Sequence, residues 1–199
     1  MRIILDPHIH TNSSPDSTIT INQLLSGILA AGINAIAITD HENMEGYKRL
    51  KNSPSFKNIL LIPGIEVTTK IGDLIILGLE NPIISQDPLI LIEKVKQEGG
   101  IVIAPHPFDE NRKSIGNLCA KIGVDLIEVY NGRSSPKANK EAREFANALN
   151  IKMIGGSDAH RKEELGSVIN ILECEKTIED VLNEIRKGCK IVVRKTKIY

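Results

Sequence analysis

Arg2-Ile3-Ile4-Leu5-Asp6-Pro7-His8-Ile9-His10 is the stretch on which the reading of the fold turns. Residues 3–5 are apolar and largely β-branched, as a short buried strand is. They give way at once to an aspartate and to two histidines one residue apart. Backbone still extended there turns His8 and His10 to the same side, where both can grip one ion. The same arrangement recurs down the chain. Apolar runs of strand length lie at 35–38, 59–62, 74–79, 101–104, 126–129 and 153–155. The other three histidines follow such runs, in Thr39-Asp40-His41-Glu42, Pro105-His106-Pro107 and Ser157-Asp158-Ala159-His160.

Between the runs, apolar side chains recur at helical spacing: Leu24, Leu25, Ile28 and Leu29; Ala142, Phe145, Ala146 and Leu149; Ile178, Val181, Leu182 and Ile185. The alternation predicts an α/β fold with a mostly parallel sheet. Residues 168–172 and 191–193 are candidates for further strands. Gly32 and Gly99-Gly100 stand where helices end. No internal repeat, low-complexity tract or long linker interrupts the sequence, so one domain is expected over residues 1–199. In α/β barrels, residues just past the strand C-termini converge on one mouth, where active sites form. Histidines distributed in this way predict such a mouth.

Composition narrows the class. Of 199 residues, 32 are isoleucine and none is tryptophan, which predicts an aliphatic, β-branched core. No apolar run reaches the roughly 18 residues of a membrane helix, and Asp6 comes too early for a signal peptide, so a soluble cytoplasmic protein is expected. Three cysteines (Cys119, Cys174 and Cys189) without a Cys-x-x-Cys pair indicate buried free thiols rather than disulfides or thiolate zinc. Basic and acidic residues balance at 25 each, which argues against a protein that coats nucleic acid. The one asymmetry is terminal: Arg186, Lys187, Lys190, Arg194, Lys195 and Lys197 occupy an acid-free end, read as a solvated face or a weak anion-steering patch.

Carboxylates accompany the histidines: Glu66 in Pro63-Gly64-Ile65-Glu66-Val67, Asp158, and Asp16 in the loop after the first histidine pair. Taken singly, Asp16 reads equally as a helix cap and Asp158 as a turn residue. Imidazole and carboxylate without thiolate suit zinc, manganese or iron, and leave positions for water and substrate.

Five motifs in this order resemble the PHP family, named for its polymerase and histidinol phosphatase members: His-x-His, Thr-Asp-His-Glu, Pro-Gly-Ile-Glu, Pro-His-Pro and Ser-Asp-Ala-His, over residues 6–160. The resemblance implies a distorted (β/α)7 barrel with two or three divalent ions at its mouth. It implies a first ion on His8, His10, Glu66 and Asp158, a second on bridging Glu66 with His106, and a third on Asp16, His41 and His160. Where the family commonly has a further histidine for the second ion, this chain offers Asp73, either a harder ligand or a turn residue. A second departure is Pro7, where relatives usually carry another apolar residue. Glu128-Val129-Tyr130-Asn131-Gly132-Arg133 resembles a family segment facing the site, which makes Arg133 a phosphate clamp; Arg161 is a weaker candidate for that role.

The activity implied is metal-dependent hydrolysis of a phosphate ester by a metal-activated hydroxide. A small phosphorylated substrate is favoured, because only three Phe and three Tyr are available to stack bases. The alternatives are a nuclease acting on single-stranded ends, 3'-5' or 5'-3', and a metal-depleted scaffold subunit of a nucleic-acid assembly. An amidohydrolase also opens with His-x-His, but it usually needs a strand-end lysine where this chain has Glu66. No membrane partner is expected.

Overall fold

Each apolar run becomes a strand, and its alternate residues divide between two cores. The computed structural model describes residues 1–194. The strands are β1 (Arg2–Ile9), β2 (Ala35–Ile38), β3 (Leu60–Thr69), β4 (Gly72–Leu77), β5 (Ile101–Ala104), β6 (Leu126–Asn131), β7 (Lys152–Gly156), β8 (Val168–Glu173) and β9 (Lys190–Val193). The helices are α1 (Ile21–Ala30), α2 (Glu45–Lys51), α3 (Pro88–Gln97), α4 (Cys119–Ile122), α5 (Pro136–Leu149) and α6 (Ile178–Ile185). Ile36, Ile38, Ile65, Ile76, Val102 and Ile127 pack with Leu24, Ile28, Leu91, Val95, Ala142 and Ala146 of the helices. Ala35, Ala37, Ile62, Ile75, Leu77, Ile103 and Leu126 form a second core with Val181, Leu182 and Ile185 of α6. The period of two along a strand accounts for this division. Within the predicted helical stripes, Leu29 and Leu149 fall outside the core, about half exposed at 59% and 50%.

One sheet of nine strands runs β7-β6-β5-β4-β3-β2-β1-β8-β9 and curls into a nearly closed barrel. The expectation of a mostly parallel sheet requires correction. β1–β2, β2–β3, β5–β6 and β6–β7 are parallel, but β4 runs antiparallel to both β3 and β5, and β8 and β9 add two further antiparallel pairings. The cause is local. Only Lys70 and Ile71 separate β3 from β4, whereas a parallel return needs a crossover of a dozen or more residues. The two tentative strands at 168–172 and 191–193 are both present, as β8 and β9.

Pro7 lies inside β1, where the pairing register with β2 shifts between Asp6 and Ile9. A proline has no N–H for the ladder, and a local irregularity accommodates it. The buried Asp6 carboxylate accepts from the amides of Ser157 (3.1 Å) and Gly166 (3.3 Å), and burial pushes its pKa up to about 6.

Closure between β7 and the opposite end of the sheet uses no regular ladder. At the mouth, Asp158 N–H donates to His8 O and His10 N–H to Ala159 O, both at 2.9 Å. Lower down, the fully buried Asn170 side chain accepts from Gly155 N (3.0 Å) and donates to Gly155 O (2.6 Å).

Of the cysteines, Cys119 alone is fully buried, because Cys174 and Cys189 sit at the edge of the second core, half covered. No described helix is long and apolar enough to cross a membrane. Of the terminal basic residues, Lys195 and Lys197 lie outside the described residues.

Replacing Asn170 with alanine strands a buried amide and carbonyl at the seam. Asn170→Ala should therefore cost about 2–4 kcal/mol of unfolding free energy, read as a lower urea midpoint at unchanged slope.

Candidate metal centre

Strand ends and the loops just beyond them bring eight of the nine expected ligand residues close together. His8 comes from β1 and His10 from just past its end, Glu66 from β3, Asp73 from β4, His41 from the segment after β2, His106 from that after β5, and Asp158 and His160 from that after β7. Seven of these eight are almost fully buried, and His41 is 26% exposed. Asp16 reaches in from the loop before α1, half exposed at 51%, with Oδ2 3.1 Å from His160 Nε2 and 3.5 Å from His41 Nε2. Thr20, not Asp16, caps α1. Asp73 is a strand residue paired opposite Thr68, not a turn residue, and Thr68 donates to it at 2.7 Å.

The four buried histidines share one orientation. His8 Nδ1 meets Glu128 Oε1 at 2.9 Å, and His160 Nδ1 meets the Asp158 carbonyl at 2.9 Å. Both partners only accept, so Nδ1 carries the proton. Ser14 gives its hydroxyl hydrogen to Asp40 (2.9 Å) and so accepts from His10 Nδ1 (3.2 Å). Ser114 likewise donates to the His106 carbonyl (2.6 Å) and faces His106 Nδ1 at 3.4 Å. In every case the other nitrogen, Nε2, is the one turned toward carboxylate oxygen. Such fixing of the tautomer by an outer acceptor is how ligating imidazoles are usually held.

The distances then test whether an ion suits the site. His8 Nε2 and His10 Nε2 are 3.1 Å apart. They lie 3.4 and 3.1 Å from Glu66 Oε2, and 3.4 and 3.5 Å from Asp158 Oδ1. Metal–ligand bonds of about 2.0–2.1 Å in tetrahedral geometry put ligand atoms about 3.3–3.4 Å apart. Asp158 Oδ1 is also buried without a hydrogen-bond partner, a vacancy that a cation satisfies and that costs free energy otherwise. Glu66 turns its second oxygen, Oε1, to His106 Nε2 at 3.3 Å. Donor atoms of Glu66, Asp73 and His106 form a second close group, and those of His10, His41 and His160 a third. The donor set fits divalent metal.

The electrostatics agree. Burial disfavours charge on Glu66 and Asp158, yet the imidazoles around them hold Glu66 well below the usual carboxylate range and Asp158 down at about 2. His8 is held well above its ordinary value by Asp158 and Glu128 against the pull of burial, while burial brings His10 down to about 4. Negative charge is thus retained in the interior around a small space. The backbone is strained at two of these residues, His106 and Asp158, whose φ values are +33° and +52°, conformations that persist where surroundings over-determine them.

Other residues complete the site: Arg112 is not legible in the sequence, and Glu128 and Asn131 are legible only as part of a segment facing the mouth. Arg112, from the loop after β5, holds Asp158 Oδ2 at 3.1 Å. Asn131 donates to Glu128 Oε2 (2.8 Å) and Asp158 Oδ2 (3.1 Å). Glu128 orients His8, and Ser14 with Asp40 orients His10. Arg133 stands at the mouth, 32% exposed, with Nη1 3.9 Å from Asp158 Oδ1. Arg161 is exposed, its amide donating to Glu164 at 3.0 Å.

Known proteins resemble this chain in sequence and in fold. Residues 136–189 match the PHP-associated family. Over 137 residues the chain is 33% identical to the uncharacterized protein MJ1587 of Methanocaldococcus jannaschii, a stretch covering 63% of this chain and 80% of that one. A two-domain protein from Bacteroides vulgatus, containing a predicted PHP-like metal-dependent phosphoesterase, superposes with a TM-score of 0.79 at 18% identity. The match covers 98% of this chain and 65% of that longer one. PsfC from Pseudomonas syringae PB-5123 superposes with a TM-score of 0.76 at 18% identity, over 98% of this chain and 92% of that one.

Zn2+ or Mn2+ at about a hundred times its dissociation constant should stabilise the fold by about 2.7 kcal/mol. In a chain of this size that raises the melting temperature by about 5–10 °C, and a chelator reverses it. Gly156→Ala should abolish this gain, because a Cβ there would stand 2.3 Å from Glu128 Oε1 and 2.5 Å from His8 Cβ.

Proposed function

Because this chain belongs to the PHP family, we propose that it is a metal-dependent phosphoesterase acting on a small phosphate ester. The observation carrying this reading is the buried group of donor atoms from His8, His10 and Glu66, 3.1–3.4 Å apart as ligands of one ion are, with Asp158 Oδ1 3.4 and 3.5 Å from the two imidazoles. Those four residues hold the first ion. Glu66, through its other oxygen, joins His106 and Asp73 around the second, and Asp16, His41 and His160 serve the third. Zinc, manganese and iron all suit such ligation. When bound, divalent ions supply Lewis acidity toward phosphoryl oxygens and lower the pKa of coordinated water toward neutrality.

The remaining residues prepare the site. Glu128, Ser14, Ser114 and the Asp158 carbonyl keep the four imidazoles in the Nδ1–H form, so that every Nε2 is ready to ligate. Arg112 and Asn131 occupy Asp158 Oδ2 and turn Oδ1 inward. Arg133, held only by a long 3.9 Å ion pair to Asp158 and 32% exposed, is placed to meet phosphoryl oxygens and stabilise the charge that develops there. Arg112 lies closer to Asp158, at 3.1 Å against 3.9 Å for Arg133, which supports Arg133 rather than Arg112 for the phosphate contact.

Glu66→Ala and Asp158→Ala should each abolish hydrolysis with loss of bound metal, measured by elemental analysis and turnover on a phosphomonoester panel. Arg133→Ala should lower turnover by about ten- to a thousandfold at unchanged metal content. Higher catalytic efficiency on single-stranded oligonucleotides than on any phosphomonoester, with steep salt dependence, would replace this reading by the nuclease one.

Asp73→His puts a softer ligand in the second group and should shift its preference toward zinc over manganese. Competitive titration of the two ions reads the change.

A further inference from the structure

On the other side of the β6–α5 connection from the metal centre lies a cavity of about 540 Å³. Lys140 and Arg143 of α5 and Arg194 beyond β9 line it, Tyr130, Val168 and Val193 give it apolar surface, and no acidic side chain faces it. The cations are positioned. Arg143 donates to the Tyr130 hydroxyl, with its guanidinium 5.2 Å from the centre of that ring. Arg194 is anchored by Nη1 to Ala31 O (2.6 Å) and by its amide to Ser167 O (2.7 Å). Among the described residues, neither arginine forms an ion pair with a carboxylate, and Lys140 has only Glu144 at 3.7 Å, one turn along the exposed face of α5.

A second observation points to a ligand. Ser167, in the same wall and 8% exposed, has a buried Oγ with no hydrogen-bond partner. A buried hydroxyl left unpaired is costly, and native proteins rarely keep one without use. The first turn of the 14-residue α5 also borders the cavity, through Pro136 and Asn139, and adds the positive end of its dipole. Two arginines without a carboxylate partner among the described residues, a lysine with one exposed partner, a spare hydroxyl and a helix N-terminus together suit an anion.

We propose that this cavity is a second anion-binding site, separate from the metal centre, that takes a phosphorylated small molecule. The phosphate sits on Arg143, Lys140 and Arg194, in front of the wall that carries the unpartnered Ser167 hydroxyl. The body of the molecule lies against Tyr130, Val168 and Val193. The volume is within the range of small-molecule sites and exceeds what a bare phosphate ion fills, which is the reason for assigning a body.

Calorimetric titration of the full chain with inorganic phosphate, adenosine 5'-monophosphate and adenosine tests this, in the Asp158→Ala background so that the metal centre does not contribute. Phosphate should bind, the monophosphate should bind at least tenfold more tightly, and adenosine should bind more weakly than the monophosphate by a similar factor. Arg143→Gln with Arg194→Gln should weaken monophosphate binding at least tenfold. Lys140→Gln, on an exposed helix position where folding is not at stake, should weaken it about threefold. In the otherwise native protein the same substitutions should leave turnover of a phosphomonoester at the metal centre unchanged. Monophosphate affinity untouched by these substitutions, absence of phosphate binding in the Asp158→Ala background, or a monophosphate no tighter than phosphate would each overturn the proposal.

Discussion

Buried carboxylates need company, and much of this structure is organised to provide it. Glu66, Glu128 and Asp158 lie almost wholly out of water at the mouth of the barrel, where an isolated charge is prohibitively expensive. Four imidazoles, Arg112 and the Asn131 amide surround them. The barrel's strands converge there, and the outer acceptors that fix each imidazole tautomer do so because a randomly oriented ring would leave one of those charges unanswered. Stability and chemistry are therefore in tension at this mouth: the arrangement that makes it a good cation receptor is one that a purely structural core would avoid.

Much of this could be read from residue order, and the reason is geometric. A histidine just after an apolar run is placed by the strand before it, so the motifs around His8, His41, His106 and His160 announced a common mouth before any coordinates. Strand direction is another matter. The run through Leu74 and Leu77 is apolar on both faces whichever way it travels, so the antiparallel course of β4 was carried only by the shortness of the Lys70-Ile71 turn. Contacts made through long side chains were also hidden. Arg112 reaches Asp158 from a loop whose path no periodicity describes, and Glu128 looks like any strand residue until β1 is laid near it.

Asn170 was legible in principle, as a lone amide inside the apolar stretch Val168-Ile169-Asn170-Ile171-Leu172, a position where polarity is expensive and so has a purpose. The cavity beside α5 was not. Arg143 and Lys140 fall on the polar face of a helix, and only the return of the chain at Arg194 shows that they face a shared space rather than solvent.

The seam of the barrel has a mechanical meaning. His8 and His10 belong to one lip of the closure and Asp158 and His160 to the other, joined directly by two backbone hydrogen bonds at the mouth. In the reading proposed above, an ion shared by His8, His10 and Asp158 would work as a clasp across that gap, tying together positions about 150 residues apart in the chain. Without it, the lips would depend on those amides, on the Asn170 side chain and on the hydrogen bonds of Ser157 to Asp6 and His8. A clasp of this kind restrains the opened chain as a cross-link does, since joining distant positions removes much of its freedom. Metal occupancy and the shape of the mouth would then be one variable, and loss of the ion would loosen the walls that any substrate has to meet.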